Sequence, residues 1–300
     1  MLQLPFKLTN SNMSMLKNCP KMFEYRIIDR LTPRYQGEAR GIGTAFHKGV
    51  ETGSVADALA TFEGIFPNSQ DEQDALDIKL ATVQAMVEGY FNAFTQHKSI
   101  EQEIEFELPI INPKTKRPSK SFKLAGIVDG LVKIDGKYWL LELKTAGQIN
   151  STYIDKLIID SQITTYFYAL QSLKNITLSG VIYRIAKKPS IRQKKTETVQ
   201  QYTDRLIQDY KDRPEFYYFE EKLYRNNDDM ELFEKELWMF TQYLLQCNRE
   251  GLWYRNTSRC TDWGKCDYLP LCTSQPDAMD LYEVKKPNEE LEGEESKNAT

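Results

Sequence analysis

The sequence predicts an α/β protein in which a central mixed β-sheet is flanked by helices. Apolar residues recur at helical spacing through roughly the first hundred residues. At Glu103 the spacing changes to two, because Ile104, Phe106, Leu108 and Ile110 alternate with polar residues as in a half-buried strand. Beyond residue 150, helical and strand patterns alternate along the chain, so we expect helices to cover the sheet.

An N-terminal helical region therefore precedes the sheet. Its first helix has Ser11 as the predicted N-cap. The predicted helices cover residues 10–30, 39–51, 71–97, 153–173, 196–211 and 228–250, and the predicted strands cover residues 103–110, 122–134, 137–144, 178–186 and 216–224.

The chain is expected to form a single domain over residues 1–275. This domain would comprise a helical part over about 1–100, a core over about 101–225, and a C-terminal helix with a cysteine cluster over 226–275. Residues 276–300 carry eight acidic and three basic side chains, so we expect an acidic, disordered tail.

The composition excludes several classes of protein. With 41% hydrophobic residues the chain is not intrinsically disordered. It has no apolar run of the roughly 18 residues that a membrane span requires, and its start, MLQLPFKLTNSN, lacks the layout of a signal peptide. We therefore expect a cytoplasmic protein with no membrane partner. Its five cysteines, an odd number, favour metal ligation over disulfides.

Two carboxylates are predicted to face each other across a β-hairpin. If Asp135 and Gly136 form a two-residue turn, the register of the flanking strands places Asp129 opposite Glu142. Lys144 lies two residues further on and shares the face of Glu142. Because like charges about 4.5 to 5.5 Å apart repel, the fold needs a compensating cation, a shared proton or nearly full solvation.

A divalent cation such as Mg²⁺ or Mn²⁺ resolves this repulsion. Such an ion prefers oxygen ligands and keeps water molecules that can be activated to attack a phosphate. Lys144 could then position or deprotonate the water and stabilise charge in the transition state. The alternative is a solvent-facing edge hairpin with ordinary charges, but the strands around the pair are apolar.

Three further residues are candidates for the same site. Gln162 and Tyr166 are one helical turn apart, so both could reach one phosphate or base. The alternative is a helix face that packs a tyrosine on the sheet. His47 is one of only two histidines and lies in GIGTAFHKGVE, either as part of the site or as an ordinary surface or core residue.

Positive charge is concentrated between Arg184 and Lys195, where no acidic residue occurs. Such a cluster can neutralise phosphates, and the alternative is a solvated loop. The candidate phosphate-contacting residues in it are Lys187, Lys188, Arg192, Lys194 and Lys195.

The segment CTDWGKCDYLPLC, residues 260–272, places three cysteines at five-residue gaps. Three thiolates are one fewer than zinc or an iron-sulfur cluster usually takes from a protein. Cys247 lies on an apolar helix face with Leu244 and Leu245, and we interpret it as a small buried hydrophobic residue.

Taken together, Asp129, Glu142-Leu143-Lys144, Gln162 with Tyr166 and an upstream histidine resemble the PD-(D/E)XK nuclease superfamily. The resemblance is to the RecB-like branch, which includes AddB-type nucleases and CRISPR-associated adaptation nucleases, and it spans most of residues 8–272. SNMSMLKNCPKMFEYRII looks like the N-terminal helix of that branch, and GIGTAFHKGVE looks like its histidine motif. The resemblance implies a restriction-endonuclease-like core.

The resemblance also implies roles for individual residues. Lys144 would act on the attacking water, and Gln162 with Tyr166 would contact DNA. The implied ligands of a Mg²⁺ or Mn²⁺ ion are His47, Asp129, Glu142 and the backbone carbonyl of Leu143.

A 4Fe-4S cluster is a further implication of the resemblance. In the iron-sulfur members, one N-terminal cysteine joins three near the C-terminus. Those members typically space the last three as C-x2-C-x5-C, whereas this chain has C-x5-C-x5-C. Zinc is the alternative occupant, because thiolates bind both. The corresponding ligands here are Cys19, Cys260, Cys266 and Cys272.

These expectations describe a Mg²⁺- or Mn²⁺-dependent deoxyribonuclease. More narrowly, we expect an exonuclease on DNA ends or single strands in recombination, repair or replication, in the cytoplasm of a bacterial or virus-infected bacterial cell. The alternatives are a CRISPR-adaptation-type DNA-trimming factor and a catalytically inactive DNA-binding iron-sulfur module. No G-x4-G-K-[ST] helicase signature is present, so the expected partners besides DNA are a separate helicase, a recombinase or a single-strand-binding protein.

Overall fold

The computed structural model describes residues 2–34, 41–95, 97, 99–262 and 264–285. Its strands, in chain order, are β1 (Phe6–Leu8), β2 (Leu31–Pro33), β3 (Ser99–Ile111), β4 (Pro118–Ile134), β5 (Lys137–Ala146), β6 (Leu178–Lys187), β7 (Tyr218–Leu223) and β8 (Tyr282–Val284). β2 and β8 pair with each other. The other six form a mixed sheet, in which β5 and β6 are parallel and β7 is antiparallel to β6.

The long strand β4 has different partners along its two edges. β3 runs antiparallel to one edge for most of its length. On the other edge, β1 pairs with residues 122–124 and β5 pairs with residues 130–134. Residues 125–129 lie between these two ladders, so β4 and β5 diverge there. We call this divergence of β4 and β5 the fork.

The hairpin between β4 and β5 has the predicted register. Asp135 and Gly136 have φ angles of 49° and 80°, the left-handed values that a two-residue type I′ turn requires. The last pair of the ladder, Gly130 with Leu141, directly adjoins Asp129 on β4 and Glu142 on β5. The turn chemistry therefore brings these two carboxylates to the fork.

Helices cover both faces of the large sheet. They are α1 (Asn10–Asn18), α2 (Pro20–Phe23), α3 (Gly41–Thr52), α4 (Val55–Ala60), α5 (Gln70–Ala93), α6 (Ser151–Leu157), α7 (Ser161–Lys174), α8 (Val199–Asp212), α9 (Pro214–Tyr217), α10 (Asn227–Glu250) and α11 (Leu269–Cys272). One hydrophobic core joins the sheet to α1, α7 and α10, and a second joins it to α3, α4, α5 and α8. The predicted fold class is confirmed. None of the described helices is long and apolar enough to cross a lipid bilayer.

The first predicted helix is interrupted in the structure. Pro20 begins α2, and Cys19 before it is extended, with φ of −159° and ψ of 109°. A proline ring disfavours helical backbone at the preceding residue, which explains the break. The N-cap is Thr9, whose hydroxyl accepts a hydrogen bond from Asn12 N at 3.1 Å, and not the predicted Ser11.

The helix predicted over residues 153–173 also consists of two helices. The Asp160 carboxylate caps α7 by accepting hydrogen bonds from the backbone N–H groups of Gln162 at 2.7 Å and Ile163 at 3.3 Å. An aspartate that bonds the backbone in this way favours a new helix start over continuation of the preceding helix.

The expectation of a disordered tail over residues 276–300 is wrong for its first part. Ala278–Leu281 forms a 3-10 turn, and β8 pairs with β2. Tyr282 is 4% exposed and stacks on Tyr268, with ring centroids 5.6 Å apart. Burial of this ring outweighs the polar composition around it. Residues 286–300 lie outside the described residues, as does the start of the helix predicted from residue 39.

Candidate active site at the fork

Asp129 bridges three parts of the molecule at the fork. Its Oδ2 atom accepts a hydrogen bond from the backbone N–H of Leu143 at 2.7 Å. This bond continues the connection between β4 and β5 beyond the end of their ladder. Oδ1 lies 3.7 Å from Nδ1 of His47 on α3. Both oxygens of the carboxylate are therefore oriented by neighbouring elements.

Glu142 is fully buried, with 0% of its surface exposed. Within the described residues, neither of its carboxylate oxygens accepts a well-formed hydrogen bond, although Lys144 Nζ lies 2.6 Å from Oε1 as an ion pair. Burial, and then the charge of Asp129, raise the pKa of Glu142 to about 8, against the opposing effect of Lys144. Two carboxylates thus share one ammonium in a largely buried site.

Lys144 carries the compensating positive charge. Burial disfavours the charged form of its amine, but the carboxylates of Glu142 and Asp129 outweigh burial and raise its pKa. Lys144 is therefore protonated at neutral pH. Its side chain is 30% exposed, so its three N–H donors can face a water or a phosphate oxygen as well as Glu142. This state favours a role in positioning and charge stabilisation over a role as a base.

His47 reaches the fork because α3 packs closely on its neighbouring helices. A Cβ atom on Gly49 would lie 2.7 Å from Val87 Cγ2 and 2.8 Å from the Ala58 Cβ, so only glycine allows this approach. Burial lowers the pKa of the His47 imidazole, and the Asp129 carboxylate opposes that effect. The imidazole is consequently neutral at neutral pH, the form that can ligate a metal.

The structure brings Gln162 and Tyr166 together on α7. Gln162 Nε2 donates to the Tyr166 hydroxyl at 3.0 Å, and the Tyr166 ring packs edge-on against Phe106, with centroids 6.1 Å apart. Burial, and then the charge of Glu142, raise the pKa of Tyr166 to about 12. Tyr166 thus keeps its proton and lies within electrostatic range of Glu142.

Arg184 does not belong to the phosphate-neutralising cluster, contrary to the prediction. It is 3% exposed, and its guanidinium donates to Glu220 at 2.8 Å, to the Tyr90 hydroxyl at 2.9 Å and to the Thr95 carbonyl at 3.0 Å. Its position in β6, inside the sheet, requires these partners because an unpaired buried charge is costly. Arg184 therefore links β6, β7 and the end of α5.

The other basic residues lie at the end of β6 and in the segment after it. Lys187 Nζ lies 3.6 Å from the centroid of the Phe216 ring. The backbone N–H of Lys188 donates to the Ala146 carbonyl at 2.7 Å, which holds the segment beside the end of β5. The exposed members are Arg192, Lys194 and Lys195.

The donor atoms at the fork have the chemistry that a hard divalent cation prefers. Asp129 and Glu142 supply carboxylates, His47 supplies a neutral imidazole, and the buried carboxylate of Glu142 lacks the hydrogen bonds that its desolvation calls for. Among the residues described, no group of three or more His, Cys, Asp or Glu side chains could hold one metal ion as positioned. These residues have the ligand types and the charge that suit Mg²⁺ or Mn²⁺, but their side chains are not positioned as the coordination shell of one ion.

Comparison with known families identifies this arrangement. A family profile described as PD-(D/E)XK nuclease superfamily matches residues 7–273. The chain belongs to the PD-(D/E)XK nuclease superfamily. Membership implies a metal-dependent nuclease with DNA as its substrate, and enzymes of this superfamily usually use Mg²⁺ or Mn²⁺.

No curated protein matches this PD-(D/E)XK protein. The solved structure described as "Crystal structure of SSO0001" is similar at 12% identity and a TM-score of 0.27, over 77% of this chain and 86% of that chain. A likeness this distant carries no further argument.

Four of the five cysteines of this PD-(D/E)XK protein line one cavity of about 120 Å³. Met22, Tyr268 and Leu269 contribute apolar surface to it. Burial raises the pKa of the Cys266 and Cys272 thiols, so a bound metal would have to supply the positive charge that stabilises thiolates. Cys247 is buried in α10 and does not line this cavity. The lining cysteines are Cys19, Cys260, Cys266 and Cys272.

The longer first gap between the C-terminal cysteines folds back on itself. The backbone N–H of Cys266 donates to the Cys260 carbonyl at 2.9 Å. Arg259 pairs with Asp262 at 2.7 Å, and Gly264 adopts φ of 100°. The described residues of this gap therefore turn back, and both cysteines line the cavity.

Hydrogen bonds and ring stacking beside the cavity join the two ends of the chain. The Asn256 side chain donates to the Asn18 carbonyl at 2.8 Å, and the Tyr268 hydroxyl donates to the Leu31 carbonyl at 2.7 Å. Tyr25 and Tyr268 stack, with ring centroids 5.9 Å apart. The cavity is consequently built from both ends of the chain.

Two residues that position α7 were not predicted from the sequence. Asp160 caps this helix, and Arg225 holds the turn before it. Arg225 Nε donates to Thr164 Oγ1 at 2.8 Å, and Nη2 donates to the carbonyls of Leu157 at 3.3 Å and Asp160 at 3.2 Å. An aspartate before a helical pattern is a recognisable N-cap signal, whereas nothing in the sequence connects the distant Arg225 with this turn.

Proposed function

We propose that this chain is a Mg²⁺- or Mn²⁺-dependent exonuclease of the RecB-like branch that hydrolyses DNA at ends or in single strands. The main supporting observation is Glu142, a fully buried carboxylate at the fork beside Asp129 and Lys144. With both carboxyl groups ionised, the buried site would carry more negative charge than the Lys144 ammonium can balance, and a divalent cation would offset that excess. The proposed setting is DNA recombination, repair or replication.

The proposed catalytic residues are Asp129, Glu142 and Lys144. When bound, the ion would act as a Lewis acid and lower the pKa of a coordinated water. Its proposed ligands are His47, Asp129, Glu142 and the backbone carbonyl of Leu143. The hydrogen bond from Leu143 N–H keeps the Asp129 carboxylate in one orientation. The protonated Lys144 would hold the attacking water and stabilise the negative charge that develops on the phosphate oxygens.

Gln162 and Tyr166 are proposed to contact the DNA next to the scissile phosphate. Both present hydrogen-bond donors beside the fork, and their mutual bond limits their rotation. Because Glu142 is inaccessible from the surface, a flexible single strand or a frayed end can approach the site more readily than a continuous duplex. The residues proposed to neutralise phosphates further along the strand are Lys187, Lys188, Arg192, Lys194 and Lys195.

A 4Fe-4S cluster is the proposed occupant of the cysteine cavity. Zinc requires ligands that converge on one point, with zinc-sulfur distances of about 2.3 Å. The four cysteines instead line a cavity of about 120 Å³. This arrangement favours the cluster, which would link Cys19 to the C-terminal cysteines and close one domain over residues 1–275.

The proposed partners follow from what the chain lacks in sequence. Without a helicase signature, it would act on DNA opened or bound by a separate helicase, a recombinase or a single-strand-binding protein. We place this activity in the cytoplasm of a bacterial or virus-infected bacterial cell.

Linear and circular single-stranded DNA of the same sequence test the proposed exonuclease activity. With Mg²⁺ or Mn²⁺, the linear strand should be degraded and the circle should persist, and end labels would give the polarity. Cleavage of the circle at a comparable rate would contradict an exonuclease. Persistence of both substrates would contradict the nuclease itself.

A further inference from the structure

Two adjacent isoleucines project into solvent between α6 and α7. Ile158 is 62% exposed and Ile159 is 82% exposed. Single exposed apolar side chains are common on protein surfaces, but two in succession on a turn leave apolar area in water that polar residues would avoid. We call Ile158 and Ile159 the isoleucine tip.

The isoleucine tip stands on a fixed base. Leu157 before it is 3% exposed and belongs to the core. The backbone N–H groups of Ile158 and Ile159 donate to the carbonyls three residues before them, at 3.3 and 3.2 Å. Arg225 bonds the carbonyls on both sides of the tip, those of Leu157 and Asp160. The backbone is thus held, and β-branched side chains have few rotamers, so the tip loses little entropy on contact.

The tip adjoins the residues proposed to contact DNA. Asp160 follows Ile159 directly and bonds the backbone of Gln162, which in turn donates to Tyr166. The negative charge of Asp160 also acts on Glu142. The isoleucine tip therefore lies on the α7 side of the fork, one short turn before Gln162.

This position has a consequence for duplex DNA. Since Glu142 is fully buried, the strand to be cut has to enter the fork, and at a duplex end it has to leave its complement first. Proteins that unstack DNA do so by inserting apolar side chains, isoleucine among them, between base steps. A polar tip would gain nothing from contact with the faces of terminal bases.

We propose that the isoleucine tip is a wedge that enters a duplex DNA end, separates the terminal base pairs and directs one strand into the fork. This inference rests on the proposed nuclease function and adds a determinant of substrate choice. The wedge acts before hydrolysis and takes no part in it. It should therefore matter for blunt duplex ends and hardly at all for strands that are already single.

Cleavage of matched substrates tests the wedge. The double variant Ile158→Ser/Ile159→Ser should cut a blunt duplex at least about tenfold more slowly than wild type. It should cut the same strand, when single, within about twofold of the wild-type rate. Unpaired bases at the duplex end should restore the cleavage rate of the double serine variant. A control is Ile65→Ser/Phe66→Ser, which changes a pair that is 53% and 84% exposed in another loop and should cut both substrates like wild type.

A binding measurement separates the wedge from the nuclease activity. A duplex with 2-aminopurine in its terminal pair, mixed with the protein and Ca²⁺ in place of Mg²⁺, should become more fluorescent with wild type and with Ile158→Leu/Ile159→Leu. It should not do so with the double serine variant. Equal rate losses on both substrates, or a fluorescence rise with the serine variant equal to wild type, would overturn the wedge. Wild type that opens the end but cuts neither substrate would support the wedge and contradict the proposed nuclease.

Discussion

The backbone N–H of Leu143 donates a hydrogen bond to Oδ2 of Asp129 at 2.7 Å, at the point where β4 and β5 diverge. The ladder between these strands ends at the pair Gly130 and Leu141, so this bond connects β4 and β5 just beyond the ladder. It couples the register of the hairpin to the orientation of a proposed metal ligand and leaves Oδ1 on the side of His47. The fork therefore sets the geometry on which the following predictions depend.

The first prediction concerns the stability of the metal-free protein. The folded chain keeps the Glu142 proton up to about pH 8, whereas an ordinary glutamate releases it near 4.5. Between these values the folded state binds more protons than the unfolded state, so its stability should fall as the pH rises. Between pH 5 and pH 8 the unfolding temperature should fall less for Glu142→Gln than for wild type. The exposed control Glu63→Gln should follow wild type. If the unfolding temperature of all three proteins depends on pH in the same way, the pKa shift of Glu142 is contradicted.

The second prediction is that metal binding releases a proton from the fork. A ligand carboxylate has to be ionised, so Mn²⁺ should displace the proton that the raised pKa of Glu142 retains below about pH 8. The affinity for Mn²⁺ should consequently increase from pH 6 to pH 8 and then level off. Titration calorimetry at pH 7 in buffers of different ionisation enthalpy would detect the released proton. Binding heats that do not depend on the buffer would argue against ligation by Glu142.

The third prediction concerns the cysteine cavity. Cys19→Ser should lose bound iron and the brown colour of the protein, and it should unfold at a lower temperature because the link between the chain ends is lost. Cys247→Ser is the matched control, since Cys247 does not line the cavity, and it should keep its iron. Zinc in place of iron in the wild-type protein, measured by elemental analysis after anaerobic purification, would reject the cluster.

The fourth prediction separates the buried arginine from the exposed basic residues. Arg184→Ala should destabilise the fold by about 3 kcal/mol, because it leaves Glu220 without its buried partner. Lys194→Ala/Lys195→Ala should leave the unfolding temperature unchanged. This double variant should weaken DNA binding and reduce the slope of log K against log salt by about one for each lost phosphate contact. An unchanged salt slope would indicate that the segment is a solvated loop.

The sequence was sufficient to predict the hairpin and its carboxylates because the signals are local. An Asp-Gly turn sets a two-residue connection, and the register then follows by counting from Asp135 and Gly136. The same holds for Gln162 and Tyr166, whose spacing of one helical turn is retained in α7. Both predictions depend on residues within one hairpin or one helix.

Features that depend on distant residues were not predicted. The Asp129 hydrogen bond follows from the divergence of β4 and β5, because β1 occupies the adjoining part of the same edge. The sequence groups Arg184 with exposed lysines because its neighbours in sequence are basic, although its partner Glu220 lies on another strand. The burial of Tyr282 likewise depends on Tyr268 and β2. Composition alone assigned that segment to a tail.

Cleavage of end-labelled single-stranded DNA by wild type and by Glu142→Gln tests the central claim most directly. The variant keeps the shape of the side chain and removes its charge, so it should fold while the rate with Mg²⁺ or Mn²⁺ falls by at least about a hundredfold. Lys144→Ala should show a comparable loss. Lys174→Ala, which removes a half-buried lysine paired with Glu101, should cut like wild type. Cleavage by Glu142→Gln at the wild-type rate would contradict the fork as the active site.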